Sequence, residues 1–343
     1  MTDASDRVGP HFSSPEDFVV EEVPAYSPSG EGTHTFVWVE KRLRNSDEVA
    51  RWLAREAGVS ARDVGYAGRK DRFAVTRQHF SVPGLDPERA LALCSEGVRV
   101  LDAARHPHKL RTGQLRANRF DLCIHGLDAA AGEGVAAARA RLEAVGLPNR
   151  FGGQRFGREG DNAARGLQVL AGKLRGRDRR EARFLVSALQ SAVFNAVLAN
   201  RALALDAVEV GDLARRTDSG GLFVVEDEET DNQRARDFEI SATGPLFGTR
   251  MEQPGPSVRA REEVLMREHG VDPDAIRPPR GVRLRGGRRP LRVPVTGLTA
   301  ELEAPAQGRQ SVRVRVELPA GSYATVLLEE LLGVVPERVS SRS

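Results

Sequence analysis

Residues 311–318 read SVRVRVEL, valine alternating with Arg313, Arg315 and Glu317. Successive side chains of a strand point to opposite faces. The spacing therefore predicts an antiparallel strand with one face on a core and one wet, basic face. PAGSYATVLLEELLG (319–333) continues it as a turn leading into a helix. The start of the chain has the same character. DFVVEEV (17–23) and HTFVWVEK (34–41) are β-rich and flank the turn Ser-Pro-Ser-Gly-Glu-Gly. AVTRQHFSV (74–82) alternates, and NRFDLCIHG (118–126) sets Phe120, Leu122 and Ile124 against Arg119, Asp121 and Cys123. NSDEVARWLAREAG (45–58) reads as a helix. Asn45 caps it with Glu48 three residues on, Val49, Trp52 and Leu53 share a face, and Gly58 ends it. A further short helix is expected near 86–96.

The middle of the chain differs. An Ala/Gly-rich helix near 131–145 gives way to GLPNRFGGQRFGREGDNAARG (146–166), a loop dense in glycine and arginine. Residues 181–204 read as a long helix with Leu185, Leu189, Val193, Val197 and Leu198 on its apolar stripe. EDEETD (226–231) reads as a solvated acidic loop. Two similar ends around a different centre predict one α/β domain interrupted by a largely helical insertion.

A chain of 343 residues has room for about two domains. Its 40% hydrophobic and 29% charged content is that of an ordinary globular protein. No stretch approaches the roughly 18–20 uninterrupted apolar residues of a membrane helix. MTDASDRVGPHF lacks the basic-then-apolar pattern of a secretory signal. Two cysteines, Cys94 and Cys123, cannot build a disulfide scaffold or a Cys₄ metal site. A reducing cytoplasm is the expected compartment, and a monomer the expected state.

The net charge is only +3, so the distribution of charge has to decide what it means. Of 51 basic residues only Lys41, Lys70, Lys109 and Lys173 are lysines. Arginine's planar fork grips phosphates and stacks on bases. Two clusters stand out, KLRGRDRREAR (173–183) and RPPRGVRLRGGRRPLR (277–292), the second with seven arginines and no acid. Like charges at that density suit a phosphate backbone. Arg155, Arg285, Arg288 and Arg289 are the candidates for that contact.

Common catalytic signatures are missing. There is no GxGxxG opening a helix, no HExxH and no GxSxG. His106 and His108 form an HxH pair that reads as surface more readily than as a metal site. The most informative segment is GYAGRKDRFAVTRQHF (65–80). Asp71 stands between Lys70 and Arg72 with Arg69 before them, and Gly65 and Gly68 keep the backbone slim for a bulky ligand. By itself this is either a reactive carboxylate in a cationic turn or a turn aspartate satisfied by a local salt bridge. Composition alone favours the second.

The segment resembles the signature of the TruD family of RNA pseudouridine synthases. Five other stretches resemble that family's motifs in the same order. They are PEDFVVEE (15–22), LRTGQLRANRF (110–120), PNRFGGQRFG (148–157), ALQSAVFNAVLANR (188–201) and LPAGSYAT (318–325). The resemblance implies an α+β fold: a pseudouridine-synthase domain, residues 1–145 plus 293–343, built on a mixed, mainly antiparallel sheet with flanking helices and interrupted by an inserted, mostly helical TRUD domain, residues 146–292. It implies isomerisation of uridine to pseudouridine, at position 13 of certain tRNAs, without metal, nucleotide or redox cofactor. By motif position Asp71 would be the catalytic aspartate, helped by Lys70. Phe18, Asn118, Phe120 and Tyr323 would contact the target nucleotide. The family carries a lysine a few residues before the PEDF-like motif, and Phe12 stands near that place here. The competing readings are a non-catalytic structured-RNA-binding protein and a metal-dependent RNA hydrolase using His106 and His108.

Overall fold

The computed structural model describes residues 9–306 and 309–338; the N-terminal reading of residues 1–8 lies outside them. In chain order the first strands are β1 (His11–Phe12), β2 (Phe18–Pro24), β3 (His34–Arg42), β4 (Gly65–Tyr66), β5 (Val75–Pro83), β6 (Cys94–Ser95), β7 (Val98–His106) and β8 (Leu115–Leu127). Then come β9 (Leu147–Pro148), β10 (Leu213–Arg216), β11 (Leu222–Val224), β12 (Ile240–Leu246), β13 (Gly287–Pro290) and β14 (Arg292–Val293). The last are β15 (Thr296–Ala306), β16 (Arg309–Pro319) and β17 (Glu337–Arg338). The helices are α1 (Ser46–Ala57), α2 (Pro87–Leu91), α3 (Ala129–Val145), α4 (Asn162–Leu170), α5 (Arg179–Ala199), α6 (Glu228–Arg236), α7 (Pro256–Glu268) and α8 (Ala324–Leu332).

The described residues divide into two compact units. One draws on those within 9–140, 295–324 and 328–338, the other on Arg141–Pro294 with Thr325–Leu327.

The first unit is an 11-stranded mixed sheet in the order β15-β16-β8-β2-β5-β3-β7-β6. β1 joins β8 and β17, and β4 pairs with β5. Among the described residues only β2/β5 and β1/β17 run parallel in this sheet. The alternation in SVRVRVEL is therefore used in mid-sheet, between β15 and β8. Val312 pairs with Ile124, Val314 with Leu122 and Val316 with Phe120. Val312, Val314, Val316 and Leu318 are all buried. The opposite face is less basic than its sequence suggests, because Arg313 and Arg315 both grip Asp121, at 2.7 and 3.3 Å.

Helix α1 follows its sequence signals. The Asn45 amide donates to Glu48 Oε2 at 2.9 Å, and Gly58 turns left-handed at φ 68° to close the C-terminus. Val49, Trp52 and Leu53 pack on Val37, Val39, Phe80 and Val82 of the sheet. Burying a side chain such as Leu53 contributes about 1.5–3 kcal/mol. The helix expected near 86–96 is shorter, α2 alone, because Cys94–Ser95 turns back to pair with β7.

The second unit is built around α5. Asp178 caps it by accepting from the Arg180 and Glu181 amides, and Leu185, Val186, Leu189, Val193 and Phe194 are buried. It stops at Ala199 rather than 204, with Asn200 as its cap. By length and composition α5 alone among the described helices could cross a membrane, but its stripe fills this unit's own core. The stretch 146–166 is only partly loop, since α4 starts at Asn162. Gly166 lets α4 lie against α5: a Cβ there would sit 2.1 Å from the Leu185 carbonyl oxygen. A four-stranded antiparallel sheet, β11-β10-β12-β13, completes the unit beside the β9/β14 ribbon. EDEETD is not a loop. Asp227 caps α6 by accepting from the Glu229 and Thr230 amides, and acids at a helix start suit its dipole.

Candidate active site

The turn that carries Asp71 lies between β4 and β5, which pair Gly65 with Ser81 and Tyr66 with Phe80. Gly65 is required for packing: a Cβ would meet the Leu110 carbonyl oxygen at 2.2 Å. At Gly68 a Cβ would meet Leu115 Cδ2 and Lys70 Nζ only at ordinary contact, 3.9 and 4.0 Å, and its carbonyl accepts from Gln78 Nε2 at 2.9 Å. Asp71 emerges from this turn with 38% of its side chain exposed. Its Oδ2 accepts from Arg338 Nη2 at 2.9 Å. Its backbone carbonyl accepts from Lys41 Nζ at 2.7 Å, and Lys41 also donates to the Arg44 carbonyl at 2.7 Å. Lys41 is fully buried, and burial pulls its ammonium down to about 8 against the opposing pull of the Asp71 charge.

Lys70 does not serve Asp71, contrary to the sequence reading. Its Nζ donates to Asn118 Oδ1 at 2.6 Å and pairs with Glu22 Oε2 at 3.3 Å. β2 and β8 place Glu22 opposite Asn118, so both partners of Lys70 are cross-strand neighbours. Burial raises the Glu22 carboxyl and lowers the Lys70 ammonium, and the pairing works against both shifts. With its oxygen held by Lys70, the Asn118 carboxamide turns its two N–H donors the other way.

The aromatic candidates divide. Phe18 is 2% exposed, with the edge of Phe12 at 5.2 Å and Phe120 at 6.4 Å between ring centroids. The Arg338 guanidinium lies 4.4 Å over its face. Phe18 therefore offers no open face to a base in this structure: it is a floor under Arg338. Phe120 and Asn118 are half-buried on β8, and Tyr323 is half-buried at the N-cap of α8. Direct contacts thus link Asp71, Arg338, Phe18 and Phe120 in one chain, and Lys70, Asn118 and Glu22 in another. Arg338, Lys41 and Glu22 were missed by sequence reasoning.

In the second unit the arginine tract is not one surface. Arg288 is a correction: its side chain is fully buried and reaches no phosphate. It donates to Glu262 Oε1 and Oε2 at 2.6 and 2.7 Å and to Thr243 Oγ1 and its carbonyl at 3.0 and 2.9 Å. Arg292 is also buried, donating to the Val145 carbonyl at 2.6 Å and lying 3.9 Å from the Phe238 ring centre. Burial lowers its guanidinium to about 10. Arg289 is half-buried, donates to the Asn149 carbonyl at 2.9 Å and stacks 4.2 Å over Phe151. Arg277, Arg280, Arg283 and Arg285 are exposed. Arg155 is half-buried, with Ser187 and Ser191 accepting from it at 2.5 and 3.2 Å. In PNRFGGQRFG the Phe151 backbone is clipped to the Asn195 carboxamide of α5 at 2.8 and 2.9 Å.

His106 packs against Phe36 and Tyr26, at 4.5 and 5.2 Å between ring centroids, as an aromatic body. Among the described residues, Asp17, Cys123 and His125 bring possible ligand atoms within 4.8 Å of one another. The Asp17 carboxylate, 3.3 Å from His125 Nε2, raises that imidazole to about 10. The arrangement favours the imidazolium form of His125, ion-paired with Asp17.

The family model for tRNA pseudouridine synthase D (TruD) matches residues 2–176 and 173–331. A tRNA pseudouridine synthase D of Anaeromyxobacter sp. (strain Fw109-5) is 44% identical over 328 residues, covering 93% of this chain and 91% of that protein. One from Thermus thermophilus is 43% identical over 325 residues, covering 93% and 87%. A crystal structure of a Methanosarcina mazei chain described as tRNA pseudouridine synthase D superposes with a TM-score of 0.72 at 21% identity, covering 94% of this chain and 93% of that one. The last match shares the fold, and the first three place the sequence: this chain belongs to the TruD family of tRNA pseudouridine synthases.

Proposed function

We propose that this pseudouridine synthase isomerises uridine 13 of tRNA, with Asp71 as its catalytic carboxylate. The observation that carries the reading is the setting of Asp71. It is a partly exposed carboxylate on a turn, gripped by cations at its backbone and its side chain, at the end of a sheet that also presents Asn118 and Phe120. The reaction breaks the N-glycosidic bond, turns the uracil and rejoins it through carbon, so no redox group is called for. A base inside folded RNA has to be swung out to meet a side chain. A half-buried aromatic such as Phe120 or Tyr323 holds such a base with about 1–3 kcal/mol of stacking. The Asn118 N–H donors suit a carbonyl on the uracil edge, and reject the amino group that cytosine carries at position 4.

The domain roles follow the family layout: residues 1–145 with 293–343 as the catalytic domain, and 146–292 as the inserted TRUD domain. Arg285 and its exposed neighbours Arg277, Arg280 and Arg283 are the backbone contacts, with Arg155 and Arg289 as partly engaged donors. The enzyme works as a monomer in the cytoplasm, where its substrate is. Pseudouridine mapping of tRNA incubated with wild-type protein or Asp71→Asn tests the reading. Pseudouridine at position 13 with the wild type and none with the variant is the expected result. A site other than 13 would overturn the specificity, and an active variant would overturn the role of Asp71.

A further inference from the structure

Asp71 is held at two atoms by side chains that are remote in sequence. Lys41, from β3, fixes its backbone carbonyl, and Arg338, from β17, fixes Oδ2. β17 is a two-residue strand docked parallel to β1, with Phe12 opposite Arg338 and the Glu337 amide donating to the Pro10 carbonyl at 3.0 Å. The Arg338 guanidinium lies on Phe18, and Phe18 is wedged by Phe12 and Phe120. A guanidinium stacked on an immobile ring and ion-paired at one edge has little rotamer freedom left.

We propose that Arg338 is a positioning residue for the isomerisation: it holds Oδ2 of Asp71 so that Oδ1 is presented to the target nucleoside. The inference rests on Asp71 being the reacting carboxylate. It gives the last strand a catalytic purpose and gives Phe18 a role as the floor on which the guanidinium is oriented. Phe12, edge-on to Phe18 at 5.2 Å, makes that floor apolar. A carboxylate released from this grip turns freely about its side-chain torsions. Misplacing a reacting group by about 1 Å costs on the order of 100-fold in rate.

The test is single-turnover pseudouridine formation on tRNA with enzyme in excess, alongside the tRNA Kd, for full-length Arg338→Ala, Arg338→Lys and Asp71→Asn. Arg338→Ala should lose about 100-fold in rate with little change in Kd. Arg338→Lys should recover part of the loss. Free guanidinium ion, at concentrations that leave the fold intact, should also restore part of the rate to Arg338→Ala and none to Asp71→Asn. A wild-type rate in Arg338→Ala overturns the proposal. So does a loss confined to Kd, which would make Arg338 a phosphate contact. Tighter binding at an undiminished rate also overturns it, by making Arg338 a plug over Phe18. Should the alanine variant fail to fold, Arg338→Gln decides, and a wild-type rate there is equally fatal. An active Asp71→Asn sinks the underlying reading, whereas an inactive one beside a fully active Arg338→Ala sinks only the role of Arg338.

Discussion

Arg288→Ala should cost the second unit about 3–5 kcal/mol of stability, the usual price of stranding one member of a buried ion pair. The structure supplies the reason. Glu262 is 4% exposed, and both of its oxygens accept from Arg288, at 2.6 and 2.7 Å. Remove the guanidinium and the carboxylate loses its hydrogen-bonded counter-charge, keeping only the weaker pull of Arg261, while the Thr243 carbonyl and hydroxyl each lose a donor. Burial already raises the Glu262 carboxyl above its ordinary value, with Arg288 opposing the shift. Without Arg288 the rise is larger. A raised pKa in the folded state makes the cost greatest above that pKa, so the deficit should shrink as pH falls through it. Urea unfolding can separate the units, because Trp38 and Trp52, the two tryptophans, both lie in the first. The far-UV circular dichroism midpoint, weighted by α4 to α7, should drop, and the tryptophan fluorescence midpoint should move less. tRNA affinity measured where the variant is folded should keep its salt slope. An unchanged dichroism midpoint, or a shallower salt slope, would refute the assignment of Arg288 to the core.

Asp71→Asn should abolish pseudouridine formation while tRNA binding stays within severalfold of wild type, read by modification mapping and filter binding. Replacing Arg277, Arg280, Arg283 and Arg285 together by alanine should weaken binding to all RNAs and flatten the plot of log K against log salt, by about 0.7–0.9 for each phosphate no longer neutralised. An unchanged slope would mean that this tract faces away from the RNA. For His125 the folded pKa of about 10 lies above the ordinary imidazole value. Its ion pair with Asp17 therefore stabilises fully below about pH 6.5 and is lost as pH rises toward 10. Thermal melts of wild type should show that decline, and His125→Gln should flatten it.

What the sequence revealed was local, and what it hid was set by register. The valines of β16, the caps of α1 and the stripe of α5 are visible because each depends on neighbours within a few residues. Asp71 stood out only through its resemblance to a family motif, since its true partners, Lys41 and Arg338, lie 30 and 267 residues away. Lys70 adjoins Asp71 in sequence yet reaches across to Asn118, because the turn sends adjacent side chains in different directions. Arg288 and Arg289 are also adjacent, and a strand must point them to opposite faces. Nothing local says which face is the core, so the tract read as a single basic patch. The acidic run at 226–231 misled for a related reason: the same residues suit a loop or a helix start, and Asp227 makes it the latter.

The order of strands in the large sheet bears on how the enzyme is made. β8 pairs with β16, and the entire insert is translated between them. On the ribosome, then, the N-terminal strands wait with one flank of β8 uncovered while the second unit emerges. An uncovered flank of that kind invites pairing with other chains. Because Arg338 follows Asp71 by 267 residues, the carboxylate of Asp71 gains its partner only after the insert and the strands beyond it have been synthesised. A product terminated before Arg338 would leave Oδ2 of Asp71 without that partner.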